Sequence, residues 1–257
     1  MLLRPGPVHL SVASLARSLD YYEREIGLRA RVRDFDSATA ALGTGGEDLL
    51  VLHEQPGARP ADGYAGLFHC ALLLPTREDL ARWLVHASRD RVALTGLSDH
   101  AVSEALYLRD PDGHGIEIYA DRPREIWEGQ VSELMTTVRL DTDDLIASLG
   151  EQIPETFTGL PEDTVMGHVH LRVSEIAATS LFYRGLGFEA MAEFPGQAVF
   201  LATEGYHHHV GANVWESRGR PLAPPDTARL LKFSLVGDVE PAVLTDPSGI
   251  TVELLAR

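Results

Sequence analysis

Apolar and polar residues alternate over Val8–Val12 and again over Val169–Val173, and both stretches read Val-His-Leu-x-Val. Alternation with a period of two predicts a β-strand with one buried face. After the first stretch, apolar residues recur at helical spacing over Leu15–Ile26, and a glycine follows. A similar order follows the second stretch, so the chain contains a repeated unit of strand, helix and further strands.

A second pair of similar segments lies between and after these two. Phe68–Leu74 has the composition of a buried strand, and Arg77–Ala87 has a helical pattern. Leu106–Gly113 ends in Asp-Pro-Asp-Gly and leads into Gly115–Tyr119, while Leu244–Leu254 carries Asp-Pro-Ser-Gly between two apolar stretches. Each copy predicts two strands joined by a turn.

These repeats predict four modules, of which the last is too short for a full helix. Their approximate ranges are about 7–54, 67–120, 167–216 and 229–257. An acidic connector, Asp121–Val165, separates two halves and contains one short predicted helix, Asp143–Leu149, begun by an Asp cap. We therefore expect an α+β fold with a first module pair in 1–120, a connector in 121–165, and a second pair with a truncated last module in 166–257.

The composition and charge of the chain indicate which classes of protein it can belong to. The chain has 257 residues, 44% hydrophobic and 23% charged, which is typical of a folded protein with large buried cores. Its 22 Lys and Arg against 38 Asp and Glu give a net charge of -16, which would repel nucleic acid and anionic membranes. No apolar run approaches the roughly 20 residues of a membrane helix, and Met1–Pro7 breaks before a signal-peptide core could form. We expect a cytoplasmic protein with neither a membrane nor a nucleic-acid partner.

The single cysteine, Cys70, restricts the metal chemistry. It cannot form an internal disulfide, and it excludes thiolate-rich zinc sites and CxxC redox motifs. Any metal must therefore be held by nitrogen and oxygen atoms, which the eleven histidines and the carboxylates can supply. We expect Cys70 itself to be a small core residue.

Modules of strand, helix and three strands, with an Asp-Pro-x-Gly turn before the last strand, resemble the vicinal oxygen chelate superfamily. In that superfamily, paired modules curl into half-barrel sheets around a metal. More specific stretches resemble the bacterial CatE-type catechol 2,3-dioxygenases, which are type I extradiol dioxygenases: Ser98–Tyr107, Glu117–Pro123 and Gly205–Gly211. The resemblance implies a non-haem Fe(II) site, with Mn(II) or Zn(II) as substitutes, and a small aromatic diol that O2 opens next to its two hydroxyl groups.

In the same superfamily, metal ligands come from the start of a module's first strand and the middle of its last strand. The residues at these positions are Pro7, His69, His168 and Lys232 on first strands, and Glu117 and Glu253 on last strands. Pro7 has no side-chain donor atom and the charged ammonium of Lys232 has no lone pair, so neither is an ordinary ligand. The remaining set of His69, Glu117 and His168 requires the second module to pair with the third, and the first with the fourth.

Pairing of consecutive modules, the more familiar arrangement, leaves two other ligand sets open. These sets are His9 with His69 and Glu117, and His168 with Glu253 and one residue of His207–His209. His9 and His170 lie two residues beyond the first-strand positions and point to the same face, so direction alone excludes neither. We interpret both as structural histidines and Glu253 as a packing residue.

Two imidazoles and one carboxylate on one face of an ion are the ligand set of non-haem Fe(II) oxygenases. They fill three of six octahedral positions and leave three for a chelating diol and O2. One carboxylate neutralises only half of the charge of a divalent ion, which favours an anionic catecholate. Zinc hydrolases use similar ligands, so the set alone does not identify the metal.

Ring opening also needs groups that remove protons from the diol and later return one, which suits histidine and tyrosine near neutral pH. His208, predicted to open the last strand of the third module, resembles the family's active-site histidine because Val-Gly follows one residue later. In an extended segment His207 and His209 would point away from His208, and the register decides which faces the metal. His100 and Tyr107 resemble residues that orient the substrate in extradiol dioxygenases.

We therefore predict an Fe(II)-dependent extradiol dioxygenase that opens catechol or a substituted catechol. Two alternatives keep the same scaffold: a metal-dependent isomerase or epoxide-opening enzyme that uses the ion as a Lewis acid, and a protein that sequesters a flat small molecule. Three polar ligands in an apolar cavity would be unfavourable without an ion, which argues against the sequestering protein. The truncated module lacks a full helix, and a second subunit could cover the surface that such a helix would cover. The sequence therefore leaves open whether the protein forms a homo-oligomer.

Overall fold

The computed structural model describes residues 2–34, 37–151 and 156–257. The first module has the predicted order of strand, helix and three strands. Its elements are β1 (Leu3–Val12), α1 (Leu15–Tyr21) with a π-helical continuation (Tyr22–Ile26), β2 (Arg29–Asp34), β3 (Thr39–Gly43) and β4 (Asp48–Glu54). The Ser14 side chain caps α1 by accepting a hydrogen bond from the Arg17 amide, and Gly27, with φ of 93°, ends the helical segment in the left-handed region.

The second module repeats this order after a two-residue strand, β5 (Arg59–Pro60). Its elements are β6 (Gly66–Leu73), α2 (Arg77–Asp90), β7 (Leu94–Asp99), β8 (Ser103–Arg109) and β9 (Gly115–Asp121). The Thr76 side chain caps α2 by accepting a hydrogen bond from the Asp79 amide. The predicted helix at Arg77–Ala87 is therefore confirmed, and it extends by three further residues to Asp90.

The connector contains more structure than its sequence pattern predicted. Its elements are α3 (Arg124–Trp127), α4 (Val131–Leu134), β10 (Val138–Arg139) and α5 (Thr142–Ala147). The predicted helix at Asp143–Leu149 corresponds to α5, which is shifted because Asp141 provides the cap by accepting from the Asp144 amide. Helices α3 and α4 have four residues each, too few to produce a helical period. Residues 152–155 of the predicted connector lie outside the described residues.

The third module is complete and the fourth is truncated, as predicted. The third contains β11 (Val165–Arg172), α6 (Ile176–Gly185), β12 (Glu189–Phe194), β13 (Ala198–Ala202) and β14 (Val210–Asn213). The two-residue β15 (Thr227–Ala228) leads into the fourth, which contains β16 (Leu230–Gly237), β17 (Ala242–Thr245) and β18 (Thr251–Ala256). No helix lies between β16 and β17, where every residue is described.

The strands form two large curled sheets, each built from two modules, and β10 of the connector adds one edge strand to the larger sheet. The nine-stranded sheet has the order β10-β7-β8-β9-β6-β11-β14-β13-β12, and the seven-stranded sheet has the order β17-β18-β16-β1-β4-β3-β2. The second module is therefore joined to the third through antiparallel β6 and β11, and the first to the fourth through β1 and β16. The predicted α+β class, half-barrel architecture and cross-pairing of modules are confirmed.

The two Asp-Pro-x-Gly turns have the same geometry in both sheets. Asp110 Oδ1 accepts hydrogen bonds from the amides of Asp112 and His114 at 2.9 and 2.8 Å. Asp246 Oδ1 accepts from the amides of Ser248 and Ile250 at 2.8 Å each. The aspartate side chain therefore closes the turn and directs the chain into the last strand of the module. That last strand is the one that carries Glu117 in the second module.

One hydrophobic core joins both sheets and the helices packed on them. It includes Leu10 of β1, Trp83 of α2, Ile118 of β9, Leu145 of α5 and Val169 of β11. Because side chains alternate along a strand, the residues next to Ile118 in β9 and Val169 in β11 face the opposite side of the sheet. That side of the nine-stranded sheet holds the candidate site. Among the described residues, none of the helices combines the length and apolarity needed to cross a membrane.

Candidate metal centre

The central strands of the nine-stranded sheet bring His69, Glu117 and His168 to one face. Ala71 in β6 pairs with His168 of antiparallel β11 and with Glu117 of parallel β9. Residues that pair directly across neighbouring strands place their side chains on the same face, and His69 shares that face because it lies two residues before Ala71. The cross-pairing of modules thus brings the three predicted residues together.

The donor atoms of these three residues converge on one point. His69 Nε2 lies 2.9 Å from Glu117 Oε2, and His168 Nε2 lies 3.0 Å from the same oxygen. The two Nε2 atoms are 3.3 Å apart. All three side chains are buried. Within the described ranges, this is the single group of three or more His, Cys, Asp and Glu side chains arranged so that it could hold a metal ion.

The electrostatics of the centre suit a cation. Burial by itself would raise the pKa of Glu117, but His168 and His69 outweigh it and hold that pKa well below its ordinary value. Burial lowers the pKa of His168 to about 4 against the opposing effect of Glu117, so its imidazole is neutral near pH 7. Buried lone pairs this close repel one another unless a proton or a cation lies between them. The donor set therefore fits a divalent ion with two nitrogen ligands and one oxygen ligand.

His208 lies beside the three donor atoms. Its ring centroid is 4.0 Å from that of His168, and its side chain lines the cavity next to the centre. Burial, reinforced by His168 and His207, lowers the pKa of His208 well below its ordinary value, so its imidazole is neutral near pH 7. His208 precedes β14 instead of opening it, because Glu204 and Gly205, with φ of 54° and 65°, turn the chain just before it.

The expectation that both neighbouring histidines point away from His208 is wrong for His207. His207 Nδ1 lies 2.8 Å from His208 Nδ1, a contact that an extended segment could not make. His209 does point elsewhere, since its Nδ1 accepts a hydrogen bond from the Thr203 amide at 3.3 Å. Burial lowers the pKa of His209 to about 3. Of the three consecutive histidines, His208 is the one that lines the cavity beside the candidate metal centre.

Tyr107 and His100 form a hydrogen-bonded pair next to Glu117. Tyr107 is directly opposite Glu117 in the antiparallel β8–β9 ladder, so both side chains share the site face. The Tyr107 hydroxyl lies 2.8 Å from His100 Nε2, and His100 Nδ1 lies 2.7 Å from the carbonyl oxygen of Thr136. That carbonyl can only accept, so Nδ1 carries the proton and Nε2 accepts from Tyr107. Burial, reinforced by Glu117, raises the pKa of Tyr107 well above its ordinary value and keeps its hydroxyl protonated.

A cavity of about 600 Å³ lies beside the centre. Apolar and aromatic side chains form much of its wall, including Phe68, Val102, Met135, Phe200 and Trp215. His170 also lines this cavity, with its ring centroid 4.9 Å from that of His69 and its Nε2 3.1 Å from Asn213 Nδ2. The sequence interpretation treated His170 as structural. Its spacing of two residues from His168 was the signal that it shares the site face.

The alternative ligand sets are not assembled, because His9 and Glu253 lie in the seven-stranded sheet. There Lys232 Nζ donates to Glu253 Oε2 at 2.7 Å, and His9 Nδ1 lies 3.0 Å from His53 Nε2. Burial, reinforced by the charge of Lys232, lowers the pKa of His9 to about 4. Cys70 is fully buried in the hydrophobic core, as expected.

The sequence of this chain matches a known protein family and a characterised relative. Residues 4–118 match the Glyoxalase/Bleomycin resistance protein/Dioxygenase superfamily. The chain is 40% identical to a catechol-2,3-dioxygenase of Bacillus subtilis (strain 168) over 237 residues, which cover 90% of this chain and 81% of that protein. The resemblance to catechol 2,3-dioxygenases within the vicinal oxygen chelate superfamily is thereby confirmed, as is the prediction of an enzyme similar to extradiol dioxygenases.

Solved structures share the fold at lower sequence identity. A Bacillus subtilis protein solved as a candidate dioxygenase aligns with a TM-score of 0.66 and 15% identity, covering 100% of this chain and 86% of that one. Glyoxalase I from Zea mays aligns with a TM-score of 0.61 and 15% identity, covering 98% and 92%. These two likenesses concern the fold alone. Together with the sequence matches, they lead to one conclusion: the chain belongs to the glyoxalase/bleomycin resistance protein/dioxygenase superfamily.

Proposed function

We propose that this protein is an extradiol dioxygenase that opens the ring of catechol or a substituted catechol with O2 at a non-haem Fe(II) ion held by His69, Glu117 and His168. The observation that carries the proposal is the convergence of their two histidine nitrogens and one carboxylate oxygen on the buried site face. The 40% identity to the Bacillus subtilis catechol-2,3-dioxygenase supports the same activity.

The donor set supports Fe(II) as the resident ion. Two neutral imidazoles and one carboxylate leave a net charge of about +1 on a divalent ion, which favours an anionic catecholate over a neutral ligand. When bound, ferrous iron would supply the redox chemistry that lets O2 react with an aromatic diol. Mn(II) or Zn(II) would occupy the same ligands as substitutes, because imidazole and carboxylate bind all three ions.

Protein side chains next to the centre handle the substrate protons. His208 is neutral and lines the cavity, so it accepts a proton from a substrate hydroxyl when the diol binds and returns it after the ring opens. The protonated hydroxyl of Tyr107, held by His100, orients a substrate oxygen next to Glu117. In this proposal His208 and Tyr107 interact with the substrate, while the three ligands bind the ion.

The cavity supports an aromatic substrate with room for substituents. A cavity of ~150 Å³ is enough to hold a benzene ring, and the volume here is about 600 Å³. Phe68 and Trp215, with ring centroids 5.4 Å apart, give one wall an aromatic surface suited to a flat ring. The proposed substrates are therefore a small aromatic diol and O2.

Anaerobic purification followed by metal analysis and oxygen-uptake assays tests the proposal. We expect one iron per chain after loading with Fe(II), and O2 consumption that depends on both iron and catechol. His69→Ala should lose iron and O2 consumption together. Full iron content in His69→Ala would remove His69 from the ligand set, and catechol conversion without O2 would overturn the dioxygenase assignment.

A further inference from the structure

We propose that Asp121 and His207 are positioning residues that fix the tautomer of His208, so that His208 presents an unprotonated Nε2 to the cavity. The catalytic part of this inference rests on the proposed function, in which His208 takes a proton from the substrate. The tautomer itself follows from hydrogen bonds within the chain, so it can be tested separately from activity.

The three residues form a continuous hydrogen-bonded chain. His207 Nε2 lies 2.8 Å from Asp121 Oδ1, the carboxylate at the end of β9. On the other side of the same ring, His207 Nδ1 lies 2.8 Å from His208 Nδ1. His208 in turn lines the cavity beside the metal centre, and no partner for its Nε2 is found among the described residues. The chain therefore runs from a carboxylate, through one imidazole, to the proposed proton acceptor.

The positions of the protons follow from the chemistry of these atoms. A carboxylate oxygen accepts hydrogen bonds and cannot donate one, so His207 Nε2 must carry the proton that is shared with Asp121. With its proton on Nε2, His207 offers its Nδ1 lone pair, which accepts from His208 Nδ1–H. This hydrogen bond places the proton of His208 on Nδ1 and leaves its Nε2 with a free lone pair. That lone pair is what a proton acceptor needs.

The surroundings of His207 hold it in this arrangement. His207 has no solvent-exposed surface, and its ring contacts Tyr206 and Trp127 at centroid distances of 4.0 and 5.5 Å. The Tyr206 hydroxyl donates to Asp121 Oδ1 at 3.1 Å, so this oxygen accepts two hydrogen bonds and is fixed in place. Water cannot replace the partners of a fully buried ring, so its hydrogen bonds to Asp121 and His208 hold it in this orientation.

The local backbone explains how two adjacent histidines can face each other. Successive side chains of a strand point to opposite faces, which would separate His207 from His208. Glu204 and Gly205 both have positive φ, and residues 206–209, between them and β14, belong to no strand. The turn brings the two Nδ1 atoms within hydrogen-bond distance. The Asp121 carboxylate is 26% exposed, which places the outer end of the chain near solvent.

Histidine-selective 15N labelling reports the tautomers directly. The spectrum is recorded on the Zn(II)-loaded protein, because Zn(II) is diamagnetic, and the His207 and His208 signals are assigned by their loss in His207→Phe and His208→Phe. We expect His208 to be protonated at Nδ1 and His207 at Nε2. In Asp121→Asn, the amide offers a donor as well as an acceptor, so we expect mixed tautomers. Protonation of His208 at Nε2, or unchanged tautomers in Asp121→Asn, would overturn the inference.

Steady-state kinetics of the Fe(II)-loaded protein test the consequence for catalysis. His207→Phe keeps an aromatic ring against Trp127 and removes both hydrogen bonds. We expect kcat with catechol to fall at least about tenfold, with KM and iron content close to wild type, because a wrong tautomer removes the base without removing the binding site. His207→Asn should recover much of kcat, since its amide oxygen can accept from His208 Nδ1–H in place of His207 Nδ1.

His209→Phe is the matched control, because His209 belongs to the same tract and points away from the cavity. Its kcat should equal that of the wild type. An unchanged kcat in His207→Phe, or a loss of iron in that variant, would overturn the positioning role. Absence of O2 uptake by the wild-type protein would refute the proposed function instead, and the 15N spectrum would still decide the tautomer of His208.

Discussion

Lys232 and Glu253 form an ion pair of 2.7 Å in the seven-stranded sheet, at the positions that His69 and Glu117 occupy in the nine-stranded sheet. The correspondence is one of register: Glu253 pairs with the residue two after Lys232, as Glu117 pairs with the residue two after His69. In one sheet an ammonium neutralises the carboxylate, and in the other two imidazoles leave it available to an ion. Only the second arrangement gathers lone pairs that a cation can share.

This relationship gives a matched pair of variants for metal binding. Glu117→Gln should weaken Fe(II) binding at least about 100-fold, because it removes the single anionic ligand. Glu253→Gln removes the equivalent carboxylate from the other sheet and should bind iron like the wild type. The partly exposed Lys232–Glu253 pair contributes at most about 1 kcal/mol to the free energy of unfolding. Metal analysis after dialysis distinguishes the two variants, and equal iron contents would contradict the proposed metal centre.

Replacement of His208 tests its role as the proton acceptor. His208→Phe should retain iron, because the three proposed ligands remain, and turnover with catechol should fall about 100-fold or more. Phenylalanine is chosen because it preserves ring packing against His168 and Phe200. Iron content and oxygen uptake are measured on the same sample. Wild-type turnover in His208→Phe would eliminate the acid-base assignment.

Tyr107 and His100 are expected to act as one unit. Tyr107→Phe removes the hydroxyl that donates to His100 Nε2, and we expect kcat/KM for catechol to fall about tenfold with unchanged iron content. His100→Phe removes the partner of the same hydrogen bond. If the two residues position the substrate together, the double variant should lose little more than the worse single variant. Fully multiplicative losses would show that they act independently.

Pro7 and Lys232 illustrate how much of the site can be predicted from the sequence. Neither can be an ordinary ligand, which left His69, Glu117 and His168 and required the cross-paired sheets that the structure contains. The prediction of cross-paired sheets is confirmed, because the module pattern is repeated and local and the register of a strand fixes which side chains share a face. The ligand set itself remains a prediction.

The His207–His208 contact could not be predicted in the same way. It depends on the positive φ of Glu204, a non-glycine residue whose conformation no sequence pattern indicates. It also depends on Asp121, which lies at the end of a different module and reaches His207 only once β6 and β11 are paired. The short helices of the connector were missed for a similar reason, since tertiary packing and not periodicity determines them.

The pKa of His209, lowered by burial to about 3 from 6.5, predicts a pH dependence of stability. Below pH 6.5, His209 is protonated in the unfolded chain. In the folded protein it stays neutral down to about pH 3. His209 therefore lowers the free energy of unfolding across that window, by at most about 1.4 kcal/mol per pH unit. His209→Asn should lose stability less steeply than the wild type. Urea unfolding of both proteins between pH 7 and pH 4, with chelator present, measures the difference; parallel curves would contradict the prediction.

The most direct test of the central claim is the identity and stoichiometry of the reaction product. The Fe(II)-loaded protein is mixed with catechol and a limited amount of O2, and the product is analysed together with the O2 consumed. The account predicts one O2 consumed per catechol and an open-chain product with one carboxylate and one aldehyde group, as cleavage next to the diol requires. A product with two carboxylates, or conversion of catechol without O2, would contradict it.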